Sequence, residues 1–201
     1  MRKKTTNHSR LISYALLIVI MFGFFAFVML NKYTHATAGQ KQGAITAIDG
    51  TILTVPRVLH DFNLKGIDGK PFNLDSLRGH WSLLFFGYAH CQNACPTSMA
   101  ALKGMYKELQ IKRPAIALPH VVIISIDSQR DTATRFGAYV KSYNSHFYAA
   151  YGNAAAVRKV ADDFNVVYTK ISSQDTSKPW EYRYKHTSDV MVVSPDMRLV
   201  A

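Results

Sequence analysis

The run Trp81-Ser82-Leu83-Leu84-Phe85-Phe86 is too uniformly apolar for a strand with one wet face, and its pattern assigns it to the centre of a sheet covered on both sides. Ahead of it, Asp61-Phe62-Asn63-Leu64 and Pro71-Phe72-Asn73-Leu74 alternate polar and apolar positions around Asp68-Gly69, the pattern of a hairpin. Behind it, Met99, Leu102, Met105, Tyr106 and Leu109 recur at helical spacing and predict a helix opened by Pro96 and running to about Lys112. The methionines in this stripe are read as core packing. His120 to Asp127 (HVVIISID) is a second buried strand, and Asp131-Thr132 caps a helix reaching about Asn144. Ala154 to Phe164 is a third helix, with a strand over Asn165 to Ile171 after it. Ser172 to Trp180 is a polar loop, Val190 to Val193 a last strand, and Ser194 to Met197 the turn beyond. Strands alternating with helices imply parallel crossovers, so the expected class is α/β, a three-layer sandwich.

The amino-terminal texture is different. Leu11 to Leu30 carries no charge over twenty residues, and a helix crossing a bilayer core needs about 20. Arg2, Lys3, Lys4 and Arg10 precede the span while only Lys32 follows closely, which leaves the amino terminus cytoplasmic. A cleaved signal peptide has a shorter apolar core, about 7–15 residues, and an interfacial helix needs a polar face. The expected organisation is a basic cytoplasmic tail over 1–10, a transmembrane signal-anchor over 11–30, a polar linker over 31–55 and a globular domain over 56–201. That makes a single-pass protein of the inner (cytoplasmic) membrane, its domain periplasmic or otherwise exported. Of the net charge of +11, the four basic residues of the membrane flank account for part, and the remaining charges are scattered with no long basic run. Nucleic-acid binding, which wants clustered Lys and Arg with interleaved aromatics, is excluded on that ground. An acidic partner or an anionic membrane surface remains.

Both cysteines of the chain fall in Gly87-Tyr88-Ala89-His90-Cys91-Gln92-Asn93-Ala94-Cys95-Pro96, where the buried strand empties towards the helix. Two thiols at this spacing can chelate one ion or close a small disulfide ring. The helix start adds a partial positive potential that favours thiolate. Pro96 disfavours helical dihedrals at the residue before it, which places Cys95 at the helix boundary. In an exported compartment the pair can also be a reversible disulfide.

A hairpin, a buried strand and a cysteine pair at the next helix start resemble a thioredoxin-like domain. Two departures narrow the resemblance. Cys91 and Cys95 enclose three residues where thioredoxins enclose two, and Lys185-His186-Thr187-Ser188-Asp189 holds no proline ahead of the last strand. The combination resembles the Sco/SenC family of membrane-anchored copper proteins. Their F-G-Y-T-x-C-P-x-x-C-P matches Phe86 to Pro96 with departures at Ala89 and Gln92. Their S-x-D-P-x-R-D-T matches Ser125 to Thr132 with Ser128 in place of proline, and their late H-[ST] matches His186-Thr187. The resemblance runs from about Asp61 to the end, plus the anchor, and the family's final helix is not found before Ala201.

The resemblance implies that Cys91, Cys95 and His186 bind copper, one per monomer, as Cu(I) or Cu(II). It also implies delivery to the dinuclear copper site of cytochrome c oxidase, with the copper-bearing subunit or another copper chaperone as partner. Soft thiolates suit Cu(I) and imidazole suits both states, although the same three donors would also fit Zn(II) with an open position. Such a protein is a metallochaperone rather than an enzyme. The alternative is a thiol-disulfide reductase without obligatory copper, in which Cys91 attacks and Cys95 resolves. A peroxidase would need an arginine-lined peroxide pocket for which no motif is present. Among the other histidines, His8 and His35 lie outside the domain, and His60, His80, His120 and His146 have surface or strand-end contexts. His90 abuts Cys91 and is a candidate donor to its thiolate or a fourth ligand. Asp127 and Asp131 are assigned to a strand end and a helix cap rather than to acid–base work.

Overall fold

A computed structural model describes residues 12, 20–27, 29, 50–174, 177–178 and 180–201. The chain forms two units, Met1–Asp49 and Gly50–Ala201. In the first, residues 20–27 are helical. Half of the span expected to cross a membrane, and most of the expected linker, lie outside the described residues. Among the described residues no helix is long and apolar enough to cross a membrane.

The second unit is built on strand β4 (Ser82–Gly87). On one side it pairs parallel and in register with β5 (His120–Ser125), and on the other antiparallel with β9 (Val190–Val193). Leu84, Phe85 and Phe86 are wholly buried, as a central strand covered on both faces requires. Beyond β5 come β6 (Tyr148–Tyr151), β2 (Leu64–Gly66) and β3 (Pro71–Phe72); beyond β9 come β10 (Arg198–Leu199) and β1 (Arg57–Val58). Eight strands therefore stand in one mixed sheet. The expected hairpin is β2 and β3, in register Leu64 opposite Phe72, and its turn places Gly69 at φ +80°, where glycine carries no Cβ penalty.

Successive strand residues face opposite sides. Phe86 meets Phe164 at 5.9 Å, just beyond helix α3 (Ala154–Asp163), while Phe85 and Gly87 face Cys95 in helix α1 (Ala94–Lys112). Helices thus cover both faces, giving the three layers. A Cβ on Gly87 would stand 3.0 Å from the Phe85 ring and 3.2 Å from Cys95 Sγ, so the glycine lets the first turn of α1 close onto the strand end. Helix α2 (Ala133–Tyr143) is capped by Thr132, whose Oγ1 accepts from the Arg135 amide at 3.2 Å.

Four expectations need correction. Helix α1 begins at Ala94 rather than after Pro96, which puts Cys95 inside the first turn instead of at the boundary. Pro96 is tolerated there because first-turn amides have no intrahelical partner to lose. Asp131 does not cap α2; Thr132 alone does, and the carboxylate of Asp131 is used elsewhere. The strand after α3, β7 (Tyr168–Ser172), starts later than expected and does not join the main sheet. Only its first residue is buried, and it pairs antiparallel with β8 (Tyr182–His186), a strand the hydropathy pattern does not reveal. The pattern likewise passes over β6, whose four residues include two small alanines.

Candidate metal centre

The turn after β4 and the hairpin β7–β8 bring three side chains together. Sulfur or nitrogen ligand atoms of Cys91, Cys95 and His186 all lie within 4.8 Å of one another. Both thiols are free, Cys91 half-buried and Cys95 fully buried. The turn is fixed by the Cys91 amide donating to Tyr88 O at 3.2 Å, and the Cys95 amide, in the first turn of α1, donates to Cys91 Sγ at 3.3 Å. Burial first, and then its hydrogen bond with Cys91, push the Cys95 thiol above the ordinary range. Burial therefore favours the protonated form of this sulfur.

His186 closes β8 with Nε2 at 3.4 Å from Cys95 Sγ and Nδ1 at 2.7 Å from Thr187 O. A carbonyl can only accept, so Nδ1 carries the proton and Nε2 is left to a cation. The ring packs edge-on against Phe85 at 6.2 Å and Tyr88 at 6.0 Å. Thiolate and imidazole donors typically stand about 2.3 Å and about 2.0 Å from a borderline-soft cation. Two such donors sharing one ion are then up to about 4.6 Å apart, so the three atoms need only a small closure to fit. Two sulfurs and one imidazole suit a soft or borderline cation such as Cu(I), Cu(II) or Zn(II), and are poor donors for Mg or Ca.

The segment Ser125–Thr132 holds both halves of this site. The Tyr182 hydroxyl donates to Asp127 at 2.7 Å and Arg130 Nε donates to the other Asp127 oxygen at 2.6 Å. Arg130 also donates to Tyr182 O at 3.0 Å and lies 3.6 Å from the centre of the Tyr182 ring. That grips β8 four residues ahead of His186. Asp131 accepts from Ser125 Oγ at 2.6 Å and from the Ala89 amide at 3.3 Å, which grips the cysteine turn. Tyr88 adds a tie between the two, accepting from the Tyr184 amide at 3.1 Å and donating to Tyr184 O at 3.3 Å. The positioning roles of Asp127, Arg130, Asp131 and Tyr182 are missed by reading the sequence for caps. The available signal was a cluster of charge directly after a buried strand.

His90 does not join the thiols and His186. Its ring nitrogen groups instead with carboxylate oxygens of Asp127 and Asp131, again within 4.8 Å, and both carboxylates are already engaged as described. The fourth-ligand role considered for it is not what the geometry provides. His60 bonds Asp163 at 2.8 Å, His80 and His120 stack at 3.9 Å, and His146 stacks on Tyr106 at 6.2 Å, all structural contacts.

Tyr182→Phe should test the grip on β8. It removes a hydrogen bond to a buried, charged carboxylate, an interaction worth about 1.5–3 kcal/mol. Stability from denaturant unfolding should fall by about that amount; an unchanged midpoint would show that the Asp127–Tyr182 contact does not secure the hairpin.

The family model described as SCO1/SenC matches residues 52–201. The chain belongs to the SCO1/SenC family. It is similar to the SCO2-like protein RP587 of Rickettsia prowazekii, 31% identical over 137 residues that cover 68% of this chain and 64% of that protein. It is also similar to the mitochondrial SCO1 homolog 1 of Arabidopsis thaliana, 29% identical over 139 residues covering 69% and 40%. The matches thus span less than two thirds of these relatives' length. Among solved structures, apo Sco1 of Thermus thermophilus is 35% identical with a TM-score of 0.66, covering 79% of this chain and 87% of that one. Copper-bound ScoI of Arabidopsis thaliana is 27% identical with a TM-score of 0.64, covering 72% and 86%. This SCO1/SenC chain therefore has the thioredoxin-like α/β fold of those proteins.

Proposed function

We propose that this SCO1/SenC chain binds one copper ion through Cys91, Cys95 and His186 and delivers it to the dinuclear copper site of cytochrome c oxidase. The observation that carries the reading is the meeting of two free thiols with an Nε2 that faces Cys95 Sγ while Nδ1 is committed to Thr187 O. Copper-bound ScoI structures from Arabidopsis thaliana and Bradyrhizobium japonicum, 27% and 28% identical, support copper as the cargo over zinc. Delivery proceeds by ligand exchange. Cys91, half-buried, is the ligand an acceptor thiolate can displace first, whereas Cys95 at the floor is the last to let go. Cys95 regains a proton as the metal leaves, because burial favours its neutral form.

The domain works outside the cytoplasm, tethered by the uncharged span Leu11 to Leu30. A reporter active only outside the cytoplasm, fused after Ala201, should be active; activity confined to a cytoplasmic reporter would overturn both tether and compartment. For copper, metal analysis of the full chain in detergent should give one Cu(I) per chain after loading, and less than half of that would reject the site.

The reductase reading keeps one observation in its favour: a half-buried Cys91 beside a buried Cys95 is the order that an attacking and a resolving thiol require. It leaves the placement of the His186 imidazole without a task.

A further inference from the structure

A groove of about 430 Å³ opens between the cysteine turn and the β7–β8 hairpin, with Cys91 and His186 on its wall. Arg183 and Lys185 line the same groove, and both are exposed. They alternate along β8 with Tyr182, Tyr184 and His186, so they stand on the opposite face from the side chains that bind and brace the metal site. Opposite them on β7 are Ile171 and Thr169, which share that outer face.

The charge of this rim is not neutralised. Neither the Arg183 nor the Lys185 side chain has a hydrogen bond or ion pair among the described residues. The other cations of the region are engaged: Arg130 with Asp127, and Lys170 with Gln129 and the Tyr182 ring. Among the described residues, no carboxylate lines the groove. Asp127 and Asp131 are buried and bonded, and Glu181 pairs with Lys178 at 3.4 Å. Asp189 is exposed but lies outside the groove lining. Two unpaired cations, with Ile171 of β7 beside them, therefore line the groove into which Cys91 opens.

We infer that Arg183 and Lys185 form a docking rim for an acidic protein surface, one whose copper-accepting thiols are bordered by Asp or Glu. The inference rests on the copper-delivery reading and adds the chemistry of the partner. A cation rim draws an anionic acceptor to the groove and orients its thiols towards Cys91; such steering raises association rates by about 10- to 1,000-fold and fades with salt. A lipid surface is the poorer occupant, because a bilayer seated on the rim would cover Cys91, the ligand through which the cargo leaves.

The test uses the full chain in neutral detergent and two fluorescent peptides with the same Cys-x-x-x-Cys acceptor, one flanked by aspartates and one by serines. Copper occupancy is measured first, so that failure to load rejects the copper reading separately. Anisotropy with metal-free chain and stopped-flow Cu(I) transfer with loaded chain then report on the rim. The aspartate peptide should bind and accept copper at least about tenfold better at low salt. The paired substitution Arg183→Ser with Lys185→Ser should erase that advantage, leave the serine peptide unchanged and keep copper occupancy intact. The charge-keeping pair Arg183→Lys with Lys185→Arg should retain it. Equal behaviour of the two peptides with the wild-type chain, or an advantage that survives the serine substitutions, overturns the inference. So does a preference for vesicles containing phosphatidylserine that depends on the two cations while no peptide preference is seen.

Discussion

Cys95→Ala should leave the full chain unable to hold Cu(I) against a chromophoric Cu(I) chelator that the wild-type chain withstands, with occupancy falling from one per chain to near zero. Cys91→Ser should do the same. Each substitution leaves one thiolate and one imidazole, which lack the second soft anion that makes the pair a chelate. Neither should unfold the domain. Cys95 sits among Phe85, Gly87 and α1 as a small apolar group, and alanine preserves most of that packing. Near-wild-type unfolding with lost copper is the expected combination, and retained full occupancy in either variant would sink the three-ligand site. The pH dependence has a definite sign. Burial holds the Cys95 thiol above its ordinary range, so at neutral pH copper must displace a proton from it. Raising the pH removes that competitor, and affinity should climb with pH. Calorimetry in buffers of different ionisation heat should detect the released proton.

The elements that hydropathy revealed are those whose side chains answer to one environment. β4 is apolar throughout because both its faces are covered, and the β2–β3 hairpin alternates around a turn whose glycine stands at positive φ. β8 escaped detection because Tyr182, Tyr184 and His186 face a site rather than a core, and tyrosine alternating with Arg and Lys carries no strong signature. β7 was legible as a strand but not as one outside the main sheet; its partner was the undetected β8. Motif order singled out Cys91, Cys95 and His186, which the fold brings together, but not the residues that support them. Asp127 and Asp131 look like ordinary strand-end and capping residues until Tyr182, some fifty residues on, is found donating to one of them. The burial that raises the Cys95 thiol was similarly hidden, since the chain shows a thiol at a helix start but not its zero exposure.

His186→Ala should separate the two readings of the cysteine pair. Nδ1 of His186 is committed to Thr187 O, Nε2 faces Cys95 Sγ, and β8 is braced by Tyr182 through Asp127 and Arg130. A thiol-disulfide reductase uses none of this. If the chain carries copper, the substitution should weaken binding strongly, and Cu(II) more than Cu(I), because two thiolates alone still satisfy the softer ion while Cu(II) depends on nitrogen. The charge-transfer absorption and hyperfine pattern of the Cu(II) form should change with loss of the nitrogen ligand. The Cys91–Cys95 disulfide should still form and be reduced at wild-type rates, since both sulfurs remain in place. In cells, copper loading of the oxidase should fall with the substitution even though the thiols cycle normally. A reductase predicts the opposite pattern: oxidase assembly intact in His186→Ala and lost only in the cysteine variants. An unaltered Cu(II) spectrum in His186→Ala would remove the residue from the ligand set and leave the two sulfurs to account for the site alone.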